Sequence, residues 1–202
     1  KWDGAPSVVC GTDPNSGMFF VGTKSVFAKN SKACYDDVDV DLYYEGDLAE
    51  KLKYSLKYFS TLGIQGIVQG DLLFTTDVKR ETVNGEKLYT FTPNTITYGI
   101  PVDHPIGVAT GKAKIGVVFH THYRGTDFQT MQAVAGAKVK GSIEVLSVDN
   151  DTPMDRVGLN HSEELLFDKY VANIEKMCAA SGDFLDESVS YTHLTLPTSP
   201  HV

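Results

Sequence analysis

The chain has 202 residues, of which 18 are Lys or Arg and 26 are Asp or Glu, so it carries a formal charge of −8 with 42% hydrophobic and 10% aromatic residues. That balance belongs to a folded domain and excludes a disordered tail. No run approaches the ~18 consecutive apolar residues needed to span a bilayer, and Lys1-Trp2-Asp3-Gly4 does not read as a signal peptide, so the expectation is a cytoplasmic protein with no membrane partner.

Short alternating runs open the chain. Ser7 to Cys10 and Met18 to Thr23 flank the turn-rich Asp13-Pro14-Asn15-Ser16-Gly17 and predict a β-hairpin. From Gly46 the period changes: Leu48, Leu52, Leu56 and Phe59 recur every three or four residues, and Asp47 and Glu50 sit where a helix dipole favours acid, predicting a helix over 47–59. Ile64 to Phe74 is apolar and interrupted by Gly66 and Gly70, which predicts one bulged strand or two short ones. Asn84-Gly85 between Val78–Val83 and Lys87–Phe91 is a strong hairpin signal. Strands follow at Thr95–Pro101 and Lys114–His122. Thr126 to Gln129 has capping-box spacing and predicts a short helix carrying Phe128, Met131 and Val134. Ser142–Val148 reads as strand, and a final helix starts near Asn160, with Leu166, Tyr170, Ile174 and Met177 or Cys178 as its stripe and Gly182 as its stop. Strands outnumber helices and hairpins connect them, so the fold class is α+β, with mainly antiparallel sheets and flanking helices.

The ends carry their own expectations. There is no initiator Met, and residues 189–202 lack charge and resemble translated sequencing-adapter read-through of a metagenomic fragment. The reading is therefore an incomplete domain over 1–188 followed by a non-native tail. Three widely spaced cysteines, Cys10, Cys34 and Cys178, form no C-x-x-C pair and fit a reducing compartment.

Chemistry concentrates in the first half. Taken singly, Asp3-Gly4 is a turn after a strand end, Lys24 an exposed charge, Asp71 an acid at a bulge and Tyr98 a cross-strand packing residue. Taken in order, Lys1-Trp2-Asp3-Gly4-Ala5-Pro6 resembles motif I of the covalent nucleotidyltransferases, the superfamily of ATP-dependent DNA and RNA ligases and capping enzymes. Phe19 to Ser25 is similar to motif Ia, Ile67 to Phe74 to motif III with Asp in place of Glu, and Thr95 to Ile100 to motif IIIa. The resemblance implies a ligase-like (ATP-grasp-like) domain that takes AMP from ATP, with Mg²⁺ as cofactor. In it Lys1 is the nucleophile, Asp3 and Gly4 shape the turn presenting it, Lys24 contacts the nucleotide, Asp71 is a ribose or Mg²⁺ ligand, and Tyr98 stacks on the base. An attacking amine must lose its proton; lowering a lysine from about 10.4 to about 7 or 8 takes roughly 4 kcal/mol from neighbouring cations, metal and desolvation.

The run also resembles uncharacterised proteins of T4-like bacteriophages, through Lys114 to His122 as well. No motif IV Glu-Gly is found, and the K-x-K pairs Lys112-Ala113-Lys114 and Lys138-Val139-Lys140 are out of order for motif V. Two alternatives therefore stay open. One is a non-catalytic phage binding or assembly module with the same fold. The other is a metal-dependent hydrolase built on His120 and His122, which a two-residue strand period places on one face, with Asp103, His104 or Glu144 as further ligands. Only three arginines, Arg80, Arg124 and Arg156, supply little grip on a phosphate backbone, so a nucleic-acid acceptor would be held by regions outside this chain.

Overall fold

The computed structural model describes residues 2–149 and 161–181. The chain divides into two compact units, residues 1–152 and 153–202. The first is built on two sheets. Strands β1 (Ser7–Thr12), β2 (Phe19–Gly22), β3 (Ile67–Phe74), β7 (Ile115–Arg124) and β8 (Gln132–Ala135) lie in the order β2-β1-β3-β7-β8, and β9 (Val145–Asp149) also pairs with β7. A smaller antiparallel sheet contains β4 (Lys79–Val83), β5 (Glu86–Phe91) and β6 (Tyr98–Pro101) in that order. Every pairing is antiparallel except β7 with β9, which is parallel. The mixed α+β class with antiparallel sheets and flanking helices holds.

The period change at Gly46 does produce a helix, α2 (Gly46–Phe59). Its apolar stripe, with Leu52 and Phe59 fully buried, packs on one face of the large sheet against Val8, Cys10, Val68, Leu72, Ile115, Val117 and Phe119. Asp47 pairs with Lys51 at 2.8 Å one turn on. Two helices escape the sequence reading. In α1 (Asp37–Tyr43) Asp36 caps the N-terminus by accepting from the Asp39 amide, and in α3 (Pro105–Thr110) the His104 ring accepts from the Ile106 amide ahead of a proline suited to the first turn.

The other face of the large sheet is divided. At one end Val9, Phe20, Ile67 and Phe128 cluster; at the other Leu73, Phe74, Val118, Leu146 and Val148 pack with Phe91 and Ile100 of the small sheet. Between these patches the face turns polar through Ser7, Gln69, Asp71, His120 and Thr121. Gln69 is buried, donates to Ser7 Oγ at 2.8 Å and accepts from the Tyr123 hydroxyl, so the strip is internally satisfied there.

Two bulges set which residues reach that strip. Gln69 pairs with Thr121 and Gly70 with Phe119, leaving His120 as an extra residue in β7; Leu72 pairs with Val117 and Phe74 with Gly116, leaving Leu73 extra in β3. Ile64 to Phe74 is thus one bulged strand that begins at Ile67. The short helix expected after Thr126 is a 3-10 turn, Phe128–Thr130, capped by Asp127. Met131 and Val134 do not continue it: the chain passes into β8, whose pairing with Thr121 to Arg124 outweighs the local helical spacing.

The second unit contains α4 (His161–Ser181), the final helix expected from the sequence. Its stripe residues Leu166, Tyr170, Ile174 and Met177 are all exposed. The expected cap Asn160, the stop Gly182 and the tail 189–202 lie outside the described residues.

Candidate functional site

The segment that enters β1 runs alongside β3 before the strand proper begins. Ala5 N–H donates to the Leu72 carbonyl at 2.9 Å, and Leu72 N–H donates to the Pro6 carbonyl at 3.0 Å. This ladder carries Asp3 and Gly4 to the polar strip. A Cβ on Gly4 would stand 2.3 Å from the Leu72 carbonyl oxygen, so glycine is required here by close backbone approach.

The strip and this segment enclose a half-open hollow of about 300 Å³ lined by Trp2, Asp3, Asp71, Val118, His120, Thr121 and Ala135. Asp71 projects from β3 on the same face as Ser7 and Gln69. The bulge at His120 brings its Nε2 to 3.4 Å from Asp71 Oδ1, while its Nδ1 shares a 2.7 Å hydrogen bond with Thr121 Oγ1. Both side chains keep about a quarter of their surface exposed, 23% for Asp71 and 24% for His120, so both are open to a ligand.

Tyr98, at the start of β6, holds the segment from the other side. Its hydroxyl accepts from the Asp3 amide at 2.8 Å and donates to the Asp3 carbonyl at 3.0 Å. Its ring stacks on Trp2, with centroids 5.1 Å apart, and on Phe91, 5.5 Å apart. Asn94 adds a third hold, donating from Nδ2 to Asp3 Oδ2 at 3.0 Å.

The structure therefore brings Asp3, Gly4, Asp71, Tyr98 and His120 to one place. Tyr98 meets the site through Trp2 and Asp3, and its ring is already engaged by Trp2 and Phe91. Lys1 lies outside the described residues. Lys24 is exposed at the start of a 3-10 turn, Lys24–Phe27, beyond the edge strand β2, and does not line the hollow. His122 also stands apart. The bulge shifts the alternation, so His122 pairs with Val68, whose side chain belongs to the α2-covered core, and its Nδ1 meets the Gly136 carbonyl at 2.9 Å. The same-face expectation for His120 and His122 fails for that reason, and His104 is spent on capping α3.

Metal chemistry is constrained accordingly. Among the described residues no three His, Cys, Asp or Glu side chains gather as a metal cage. A zinc-type site needs at least three protein ligands, so the histidine-based reading finds no donor set. Magnesium differs: it is held by one or two carboxylates together with substrate phosphates and water. Asp71 and Asp3, both lining the hollow, fit that requirement.

Sequence reasoning missed Trp2, Asn94 and Thr121 as site residues. Trp2 was findable as the single Trp of the chain, lying inside the K-x-D-G run. Asn94 reads from sequence only as a turn residue. Among the described residues no helix is long and apolar enough to cross a membrane.

No curated protein and no solved structure matches the chain. The model of a family of unknown function, DUF6267, matches residues 1–200, and the chain belongs to that family.

Proposed function

We propose that the chain is a nucleotidyltransferase-like domain that binds ATP in the Asp3–Asp71 hollow and forms a covalent lysyl-AMP on Lys1 for transfer to an acceptor. One observation carries this reading. Two stretches far apart in sequence, each resembling a ligase motif, line a single hollow through Trp2-Asp3 and Asp71, and Tyr98 from a third holds Asp3 beside it. Independent chance matches have no reason to converge.

In this account the Lys1 amine attacks the α-phosphorus, its proton leaves, and the bond to pyrophosphate breaks. Asp71 and Asp3 would hold Mg²⁺, which supplies charge neutralisation to the triphosphate. His120 and Thr121 offer a polar wall for the nucleotide's ribose or phosphates, and Trp2 offers an apolar one. A phage source and a nucleic-acid acceptor belong to the same proposal, the acceptor being gripped outside this acidic chain.

The second reading, a non-catalytic binding module of the same fold, is favoured by the engaged Tyr98 ring and by Lys24 standing off the hollow. The two separate on incubation of the full chain with α-labelled ATP and Mg²⁺ followed by denaturation. Catalysis predicts label that survives denaturant, is lost in Lys1→Ala, persists in Lys29→Ala, and falls about 100-fold or more in Asp71→Ala. No retained label in the wild type removes the catalytic reading in favour of the module.

A further inference from the structure

We infer that Tyr98 and Asn94 form a clasp that positions the nucleophile-bearing segment over the hollow, so that they are positioning residues and Tyr98 is not a base-stacking surface. The inference rests on the nucleotidyltransferase reading and replaces the role that resemblance assigned to Tyr98. Three observations converge on it.

First, the Tyr98 hydroxyl bonds both the amide and the carbonyl of Asp3, which fixes the peptide units on either side of one residue. A base-stacking residue has no need of such bonds. Second, the ring is stacked on Trp2 and on Phe91, itself buried and in tilted contact with Phe74 at 4.9 Å, so the segment is tied through a chain of aromatic rings to the junction of the two sheets. Third, Asn94 is committed at both ends. Its Oδ1 accepts from the Ile96 amide at 3.0 Å within its own loop, leaving Nδ2 aimed at the Asp3 carboxylate.

Chain geometry keeps any residue two positions from Asp3 within about 7 Å of it, so fixing Asp3 restricts the space that the Lys1 amine can search. Misplacing a reacting group by about 1 Å costs on the order of 100-fold in rate. The clasp therefore acts on the chemical step. Nucleotide affinity draws also on Asp71, His120 and Thr121, which the clasp does not touch, so it falls less than the rate.

Because Trp2 is the single Trp, its emission reports the clasp without reference to any reaction. The experiment uses the full chain as wild type, Tyr98→Phe and Asn94→Ala. It measures acrylamide quenching of Trp2 and the rate of lysyl-AMP formation against ATP concentration. Tyr98→Phe keeps the ring and removes both hydrogen bonds; it should raise quenching and lower kcat about 10- to 100-fold, with KM for ATP rising by a smaller factor than kcat falls. Asn94→Ala, in an exposed loop, should move both readouts in the same direction by less. A labelled wild type with Tyr98→Phe unchanged in quenching and kcat overturns the clasp alone. A rise in KM with kcat unchanged also overturns it, in favour of nucleotide contact. A wild type that takes no label brings down the enzymatic reading, and the positioning role with it.

Discussion

At Gly4 a single hydrogen atom decides whether the opening segment can lie against β3. Gly4→Ala would press a methyl group onto the Leu72 carbonyl, and we expect urea denaturation to show a loss of about 1–3 kcal/mol. The sequence marks Asp3-Gly4 only as a turn; the close approach that makes the glycine necessary depends on a strand more than sixty residues away and is not legible locally. The cysteines follow the same logic. Burial pushes the Cys34 thiol up to about 12, aided by Asp39 and Asp36, and burial alone drives Cys10 higher. Cys178 is exposed on α4. Ellman's reagent at pH 8 should therefore titrate one thiol quickly, Cys178, and the other two only after unfolding. Asp13 is buried too, which opposes its charge. Hydrogen bonds from Ser16, Asn15 and Tyr35 outweigh that cost and hold its carboxyl below the usual aspartate range. Its contribution is present above the unfolded value of about 3.9 and lost as pH falls through the lowered folded value. As pH falls from about 4 through the lowered folded value, Asp13→Ala should lose less stability than the wild type, from a lower starting point, in chemical denaturation at each pH.

Among the elements, the features encoded by adjacent residues were legible. Asn84 and Gly85 take φ of 51° and 85°, the left-handed pair that a two-residue hairpin demands, and β4 pairs with β5 across them. Gly85→Ala should cost about 1–2 kcal/mol, read as a lowered urea midpoint with unchanged slope. α1 was hidden because Val38, Val40 and Leu42 alternate like a strand; only Val40 is buried, while Val38 and Leu42 stand 75% and 70% exposed. A helix held by one buried residue and an Asp36 cap has no apolar stripe for a period count to find. The β7 bulge was equally hidden, since it is set by which β3 residue faces which, and it moves His122 to the opposite face from His120.

For the molecule as a whole, the site arises where two apolar clusters on one sheet face leave a polar gap, and the opening segment crosses that gap. Each candidate was readable as a residue: Asp3 and Gly4 from a K-x-D-G run, Asp71 from an acid in an apolar strand. Their meeting was not, because it depends on strand order and on the Ala5–Leu72 ladder. Lys24 is the opposite case: its place after a strand matched the motif, yet β2 lies at the edge of the sheet and Lys24 does not line the hollow. The most direct measurement is peptide mapping by mass spectrometry after the full chain has been mixed with ATP and Mg²⁺. We predict one adenylyl group on the side chain of Lys1, removed on adding pyrophosphate. An unmodified chain, or an adenylyl group on Lys24 or Lys29 instead, would contradict the account.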